Sequence, residues 1–279
     1  MTSSSPARPK SRTAVAREVI RRRILRLEMP PGTVFSEGDL AAALDLGKTP
    51  VREALNLLTH ESLVAVAPHS GYLVMPVTLR DVRELLELRV TVETLPARLV
   101  AARGEGTAGL DAAALAWWQA TSGERTDAVP TPVQGLAYAA ALAERAGNAR
   151  AAGVEGYVLR HQLRHLYLAT ALGDPHWPVP DRSALPVALA AGDPDGAAAV
   201  VEDGIRALGA ALFATLVPVV AAYLNRPADG GPGGLPPDAV LDLNLGTLLR
   251  DGDGDGDGDG ANAVAVRPGR VITAEATAR

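Results

Sequence analysis

The chain has 279 residues, of which 47% are hydrophobic, which is enough for one large or two modest domains with buried cores. It contains no cysteine, which excludes disulfides and thiolate chemistry and fits a reducing compartment, so we expect a cytoplasmic protein. Residues 1–12, MTSSSPARPKSR, are polar and basic without an apolar run behind them. This pattern is unlike a secretory signal and indicates a disordered basic arm.

Charge is distributed unevenly along the chain. Residues 1–78 carry ten Lys and Arg and seven Asp and Glu, a net charge of +3, whereas the remainder carries −8. A basic N-terminal part and an acidic remainder indicate that only the N-terminal part binds a polyanionic partner. The basic run from Arg8 to Arg26, taken by itself, is also compatible with a solvated tail and helix face.

Three helices are predicted in the N-terminal part. Apolar residues recur at helical spacing over 13–27, and the sequence MPPG at 29–32 ends that helix. Ser36 begins a capping box, SEGD, which opens a short helix to about Leu44. After a tight turn, GKTPVREALNLL begins a third helix that runs to about His60.

The third helix begins with an unusual first turn. Pro50 is tolerated there because the N–H that it lacks would be unpaired anyway. Cationic Lys48 and Arg52 are less expected, because the helix dipole already makes this end positive. Their placement indicates that something anionic docks at the start of this helix.

Two short β-prone runs, 63–67 and 72–75, follow the third helix, and the sequence PHSG between them indicates a hairpin. Three helices, the last two joined by a tight turn, and then a hairpin predict a winged helix-turn-helix over residues 13–77, called the reader domain below. The second helix of such a turn enters the DNA major groove with its N-terminal residues first. Phosphates and base edges therefore explain the cationic first turn.

Residues 78–224 are predicted to form an all-helical domain, called the helical domain below. A capping signal at Thr78 opens a long helix, and further helical runs occupy 109–121, 131–146, 149–172, 183–191 and 194–223. The stretch 207–224 runs 18 residues without a charge. Because it is alanine-rich and contains Pro218, we expect a buried bundle helix, with a membrane-spanning helix as the alternative.

Residues 225–279 are rich in Gly, Pro and Asp, and we expect a low-complexity tail that folding does not need. The run DGDGDGDGDG at 251–260 cannot bury a core. Its start matches the opening of a calcium loop, but the twelfth position is Asn262 where a bidentate Glu is needed. A solvated linker or tail is therefore the preferred interpretation.

Three motifs carry a resemblance to a known family. The sequences PPGTVFSEGDLAAAL, GKTPVREALNLLTHESLV and PHSGYLV resemble the N-terminal domain of GntR-family bacterial transcription regulators. The helical domain resembles the ligand-binding domain of the FadR/FCD branch, and the two resemblances cover about residues 13–220. The resemblance implies a mainly α protein, an N-terminal winged helix-turn-helix followed by a C-terminal all-α, FCD-like bundle.

The resemblance also implies DNA contacts from the third helix and the wing. The corresponding residues are Lys48, Thr49, Arg52, His69, Ser70 and Gly71. Two departures, Gly38 and Lys48, stand where the family has arginine, and lysine cannot make the planar bidentate contact of arginine. Two alternatives stay open: Arg52 as a surface arginine paired with Glu53 or Asp39, and His69 as a plain turn residue.

The same resemblance bears on metal and ligand binding, because many FCD domains hold a metal ion through one Asp and three His. Those positions fall on Gly135, Ala139, Arg182 and Gly204. We therefore expect no metal and no cofactor, although a substitute site built from His161 and His165 is the alternative. Arg182, projecting into a metal-free pocket, would bind an anionic small-molecule effector; otherwise it begins a helix at the surface.

These observations together predict a cytoplasmic, homodimeric transcription regulator that binds a double-stranded DNA operator and is controlled by a small metabolite. A first alternative is a DNA-binding protein whose helical domain only dimerises. A remote alternative is an enzyme built on the helical domain. The sequence disfavours an enzyme, because it has no cysteine, no Gly-rich phosphate loop and no recognisable Ser/His/Asp set.

Overall fold

The computed structural model describes residues 11–104, 106–123, 128–178, 184–225 and 237–251. The reader domain contains α1 (Arg12–Leu25), β1 (Val34–Phe35), α2 (Glu37–Ala43), α3 (Lys48–His60), β2 (Val64–Ala67) and β3 (Gly71–Val74). Its strands form an antiparallel sheet in the order β1-β3-β2. The predicted winged helix-turn-helix is confirmed.

Helix α2 begins where its capping signal places it. The Oγ of Ser36 accepts a hydrogen bond from the Asp39 amide at 3.1 Å, so the predicted capping box opens α2. Strand β1 was not predicted, because only its two residues, Val34 and Phe35, pair with β3. Such a short strand has no alternation that a sequence pattern could reveal.

The helical domain contains α4 (Leu79–Ala101), α5 (Leu110–Ser122), α6 (Thr131–Arg145), α7 (Ala149–Leu172), α8 (Ala184–Ala191) and α9 (Pro194–Leu224). The helices predicted after Thr78 are all found with closely similar bounds. The side chain of Thr78 caps α4 and that of Asp193 caps α9. Helix α9 packs along α4, and Leu86 of α4 contacts Gly209, which permits a close approach of the two helices.

Helix α9 departs from the expected buried helix. Ile205, Gly209, Leu212, Leu216 and Val220 face α4, α7 and α8 and are buried. The opposite side is exposed, and from Ala207 to Leu224 it carries no charged residue. By length and composition α9 could cross a membrane, since its most apolar window has a mean hydropathy of 2.1, yet only 22% of that window is buried. The expectation of burial therefore holds for one face of the helix.

The C-terminal region corrects the expectation of an unpacked tail over 225–279. Two short helices, α10 (Pro237–Leu241) and α11 (Gly246–Asp251), follow the helical domain. Leu245 is fully buried and Leu248 nearly so, and both join the main core. These leucines anchor the segment in the core. They were not recognised because the composition of the segment is dominated by Gly, Pro and Asp. Residues 1–10 and 252–279, including most of the Asp-Gly run, lie outside the described residues.

Candidate DNA-binding surface and ligand cavity

The N-terminal end of α3 presents unpaired backbone donors and cationic side chains to solvent. Gly47 is the N-cap and offers no side-chain cap, and the first turn contains no acidic residue. Lys48, Thr49 and Arg52 are all exposed there. The free amides and the helix dipole attract an anion to this end, and the two cations reinforce that attraction. The structure thus brings the three predicted α3 contacts together on one surface.

Arg52 is held by a carboxylate that the sequence analysis did not select. Its Nε donates to one oxygen of Glu37 at 2.8 Å, and its Nη2 donates to the other at 3.0 Å. This bidentate bond raises the pKa of Arg52 above its ordinary value. The partner is Glu37 at the start of α2, where Glu53 or Asp39 had been considered. DNA would therefore have to compete with Glu37 for the guanidinium.

Lys48 lies against the glycine that replaces the family arginine. A Cβ added at Gly38 would lie 3.8 Å from Cε and 3.9 Å from Nζ of Lys48. The side chain of Lys48 therefore folds over α2 and occupies space that Gly38 leaves open. The ammonium group is still at the exposed end of α3, where it can approach a phosphate as a point charge.

The wing places two of its three candidate residues at its tip. Pro68, His69 and Ser70 are exposed between β2 and β3, and His69 adopts a left-handed backbone conformation with φ 64°. Gly71 has a different position, beneath the tip, with φ 103°. A Cβ there would lie 2.5 Å from the carbonyl oxygen of Phe35. Gly71 is therefore required by the fold of the wing, whatever His69 and Ser70 contact.

One further residue belongs to the candidate surface. Asn56 is exposed on α3, one turn after Arg52. An asparagine amide can pair with the N6 and N7 edge of adenine. The spacing of three and four residues along α3 would have identified Asn56 from the sequence.

Glu61, just after α3, links the reader domain to the helical domain. Arg17 donates to its carboxylate at 2.7 Å, and Arg21 donates to it at 2.7 and 2.8 Å. Burial would raise the pKa of Glu61, but the hydrogen bonds from Arg21 and Arg17 outweigh it and hold the pKa below its ordinary value. The backbone carbonyl of Glu61 accepts from Nε2 of His161 on α7 at 2.9 Å. This contact joins the two domains.

His161 and His165 bond to different partners and do not converge on a common point. His161 bonds to the Glu61 carbonyl, whereas His165 bonds through Nε2 to Oδ2 of Asp81 at 2.9 Å. Burial lowers the pKa of His161 to about 4, so it is neutral and donates from Nε2. Among the described residues, no group of three or more His, Asp or Glu side chains is arranged to hold a metal ion.

The helical domain encloses a cavity of about 430 Å³ between α4, α6, α8 and α9. The three described positions aligned with the family's metal ligands, Gly135, Ala139 and Gly204, all line it. Arg182, the fourth position and the expected effector contact, lies outside the described residues. Apolar side chains cover most of the remaining wall, as expected for a small-molecule pocket.

A buried ion pair lies at the wall of this cavity. Arg89 donates from Nε and Nη2 to the two carboxylate oxygens of Glu93, and both side chains are only 3% exposed. Nη1 of Arg89 also donates to Oε1 of Gln162 at 3.2 Å. This pair was not predicted, because the i,i+4 spacing of Arg89 and Glu93 equally fits a solvated helix face.

A second carboxyl group lies close to this pair. Glu155 on α7 is 1% exposed, and neither of its oxygens has a hydrogen-bond partner among the described residues. Burial, reinforced by the negative charge of Glu93, raises the pKa of Glu155 to about 8. Glu155 is therefore neutral at pH 7, and the Arg89–Glu93 pair has a protonated acid as its neighbour.

The fold and the α3 surface together define a DNA-binding domain of the winged helix-turn-helix class. Residues 12–74 match the model of the family described as "Bacterial regulatory proteins, gntR family". This region is therefore similar to the GntR family. The match ends before the helical domain and leaves the branch of the family open.

Similar proteins are transcription regulators. The chain is 42% identical over 85 residues to an uncharacterised HTH-type transcriptional regulator in an unstable DNA locus of Streptomyces ambofaciens, covering 29% of this chain and 36% of that protein. It is 36% identical over 73 residues to the Nta operon transcriptional regulator of Aminobacter aminovorans, covering 26% and 35%. The chain thus spans about a third of the length of these relatives. Both relatives are described as transcriptional regulators.

Solved structures extend the likeness of fold to the helical domain. Escherichia coli McbR/YncC aligns with a TM-score of 0.56 and 18% identity, covering 74% of this chain and 99% of that one. A Rhodococcus sp. RHA1 protein described as a GntR transcriptional regulator aligns with a TM-score of 0.52 and 21% identity, with the same coverage. At these identities the likeness shows the fold alone. The mainly helical fold with an N-terminal winged helix-turn-helix is confirmed.

Proposed function

We propose that this protein is a cytoplasmic transcription regulator that binds a double-stranded DNA operator as a homodimer. The observation that carries the proposal is the exposed start of α3, where free backbone amides stand beside Lys48, Thr49 and Arg52. Base edges and phosphates complement this surface. The wing tip, with His69 and Ser70, supplies a second contact beside the groove.

DNA binding is tested by selecting duplexes from a random-sequence pool with the full chain and then comparing variants on the selected operator. Arg52→Ala is expected to bind about 10- to 100-fold more weakly and to lose discrimination at one operator position. Arg83→Ala removes a surface arginine that also pairs with a glutamate, on α4, and serves as the control. Equal affinity of Arg52→Ala and wild type would refute the placement of the DNA surface.

The homodimer is proposed to form through the helical domains. The exposed face of α9 supports this, because Ala207, Ala210, Ala214, Val217 and Ala221 form an uncharged stripe on it. A contiguous apolar surface of this kind is unusual on a monomer. Light scattering of the full chain measures the mass directly. Ala214→Glu is expected to convert a dimer to a monomer, and a monomeric wild-type protein would refute the proposal.

Effector sensing is proposed for the cavity between α4, α6, α8 and α9, in an FCD-like domain whose metal ligands are replaced. Gly135, Ala139 and Gly204 offer no donor atoms there. Arg182 is flanked in the sequence by Pro178 and Ala184, which both line the cavity, and this supports Arg182 as the contact for an anionic effector. An effector controls DNA binding only if it binds two arrangements of the readers with different affinity.

A thermal-shift panel of carboxylated metabolites separates a sensor from a protein that only dimerises. A sensor melts at higher temperature with one compound, and Arg182→Ala abolishes that shift. A panel without any shift supports the alternative, in which the helical domain only dimerises. Metal analysis of protein purified without chelator completes the test. One zinc, nickel or manganese ion per subunit would refute a metal-free site.

A further inference from the structure

The segment from Asp242 to Leu248, called the clasp below, forms hydrogen bonds to the reader domain, which lies far from it in the sequence. Nδ2 of Asn244 donates to the carbonyl of Pro31 at 3.2 Å, in the turn between α1 and β1. Oδ1 of the same residue accepts from the amide of Val77 at 3.4 Å, and the amide of Leu245 donates to the carbonyl of Val77 at 2.8 Å. One short segment therefore forms hydrogen bonds with backbone groups of the reader and of the residues that connect the reader to the helical domain.

The clasp also packs against the helical domain. Leu245 and Leu248 are buried in the main core, and α11 contacts α7. Asp242 accepts hydrogen bonds from Nε and Nη2 of Arg80, in the first turn of α4, at 2.6 and 3.3 Å. The same few residues thus touch the reader, the connection at Val77 and the beginning of the helical domain.

Close fit fixes the position of the clasp. Gly246 lies so near the carbonyl of Pro31 that a Cβ at this position would overlap the backbone oxygen. Other contacts between the two domains include the Glu61 carbonyl with His161, the Met75 carbonyl with Arg164 and the Ser122 carbonyl with Arg26. Helix α1 also packs against α7. Residues 75–78, which connect the two domains, are therefore contacted both by α7 and by the clasp.

We propose that the clasp sets the orientation of the reader domain on the helical domain, and through it the geometry with which a dimer meets its operator. Two readers bind two half-sites only when their separation matches the turn of the DNA helix. When the reader is held in one orientation, the separation of the two readers already matches the two half-sites. When the reader can rotate, binding must first order it, at an entropic cost. The clasp therefore contributes to binding of the complete operator and not to binding of one half-site.

The test uses two glycine variants of the full chain. Gly246→Ala places a methyl group against the Pro31 carbonyl and displaces the clasp. Gly153→Ala on α7 adds the same methyl group where no atom lies within 4 Å, and it is the matched control. Asn244→Ala, which removes the hydrogen bonds to Pro31 and Val77, is a second and sterically mild variant should Gly246→Ala fold poorly.

Reader orientation is measured by the distance between two spin labels. The chain has no cysteine, so Val66→Cys in the wing and Val187→Cys on α8 label two exposed positions without background. Wild type and Gly153→Ala are expected to give the same narrow distance peaks, which in a homodimer include distances between subunits. Gly246→Ala and Asn244→Ala are expected to give broader or shifted ones. An unchanged distribution in both clasp variants would overturn the proposal.

DNA binding supplies the second readout, which rests on the proposed function. Two duplexes are compared, the operator selected by the wild-type chain and the same operator cut to one half-site. Gly246→Ala is expected to weaken binding of the complete operator about tenfold and to leave half-site binding unchanged. An equal loss on both duplexes means that the clasp only stabilises the reader fold and overturns the proposal. If wild type selects no duplex, the proposed function fails, while the spin-label distances still decide the role of the clasp.

Discussion

Two arginine–glutamate pairs in this molecule have the same chemistry in opposite surroundings. Arg52 pairs with Glu37 at the surface of the reader, where the arginine side chain is 64% exposed. Arg89 pairs with Glu93 at the cavity wall, where both side chains are 3% exposed. An exposed pair contributes little net stability because water solvates its partners equally well, whereas a buried pair leaves an unsolvated charge behind if one partner is removed.

The difference explains what each pair can do. The guanidinium of Arg52 can exchange Glu37 for a phosphate or a base edge without a cost to the fold. The guanidinium of Arg89 has Glu93 and Gln162 around it and holds α4 against α7. The first pair therefore suits reversible binding, and the second suits a rigid wall for a ligand cavity.

The largest expected effect comes from breaking the buried pair. Arg89→Ala leaves the carboxylate of Glu93 buried without its cation and is expected to lower the free energy of unfolding by about 3–5 kcal/mol. Arg83→Ala breaks an exposed pair with Glu87 at the same i,i+4 spacing on the same helix, and it should leave the urea midpoint unchanged. Equal midpoints for the two variants would show that burial of the Arg89–Glu93 pair has no energetic consequence.

A smaller effect is expected from the acid beside the buried pair. The pKa of Glu155 is raised from 4.5 to about 8 in the folded chain, so the folded state binds one more proton than the unfolded state between these values. Stability from this group is therefore complete below pH 4.5, falls as pH rises and reaches its minimum above pH 8. Glu155→Gln removes this dependence and should stabilise the protein by roughly 2–4 kcal/mol more at pH 9 than at pH 5.

Chemical unfolding of wild type and Glu155→Gln at several pH values measures that difference. The subtraction cancels other groups that titrate in the same range. Parallel stability curves for the two proteins would mean that Glu155 is ionised and solvated in the folded state.

The smallest expected effect lies in the exposed pair. Glu37→Gln weakens the bond that holds Arg52 before DNA arrives, so affinity for the selected operator is expected to rise up to about fivefold. Thermal stability should not change. Glu84→Gln on α4 also removes one exposed negative charge and controls for net charge. A rise of the same size in both variants would assign the effect to net charge and not to release of Arg52.

Most of the reader domain could be predicted because its signals are local. The cap at Ser36, the turn before Gly47 and the hairpin residues each act within a few positions, and the structure reproduces them. The cationic first turn of α3 was visible in the same way. Glu37 was not recognised as the partner of Arg52, because fifteen residues and a turn separate them.

The cavity and the C-terminal region were less predictable, because tertiary packing creates both. Arg89 and Glu93 have the spacing of a surface pair, and only the packing of other helices against α4 buries them. Leu245 and Leu248 stand in a segment whose composition favours disorder, yet two buried leucines anchor it. Composition averages over a segment, whereas packing depends on individual side chains.

The bond between Asn244 and Pro31 joins residues 213 positions apart. During synthesis the N-terminal domain leaves the ribosome first, and domains generally fold as units in that order. The nascent reader therefore completes its own core while the turn at Pro31 and the amide of Val77 still lack their final partners. This contact therefore cannot form until translation has passed Asn244, long after the rest of the reader has been synthesised.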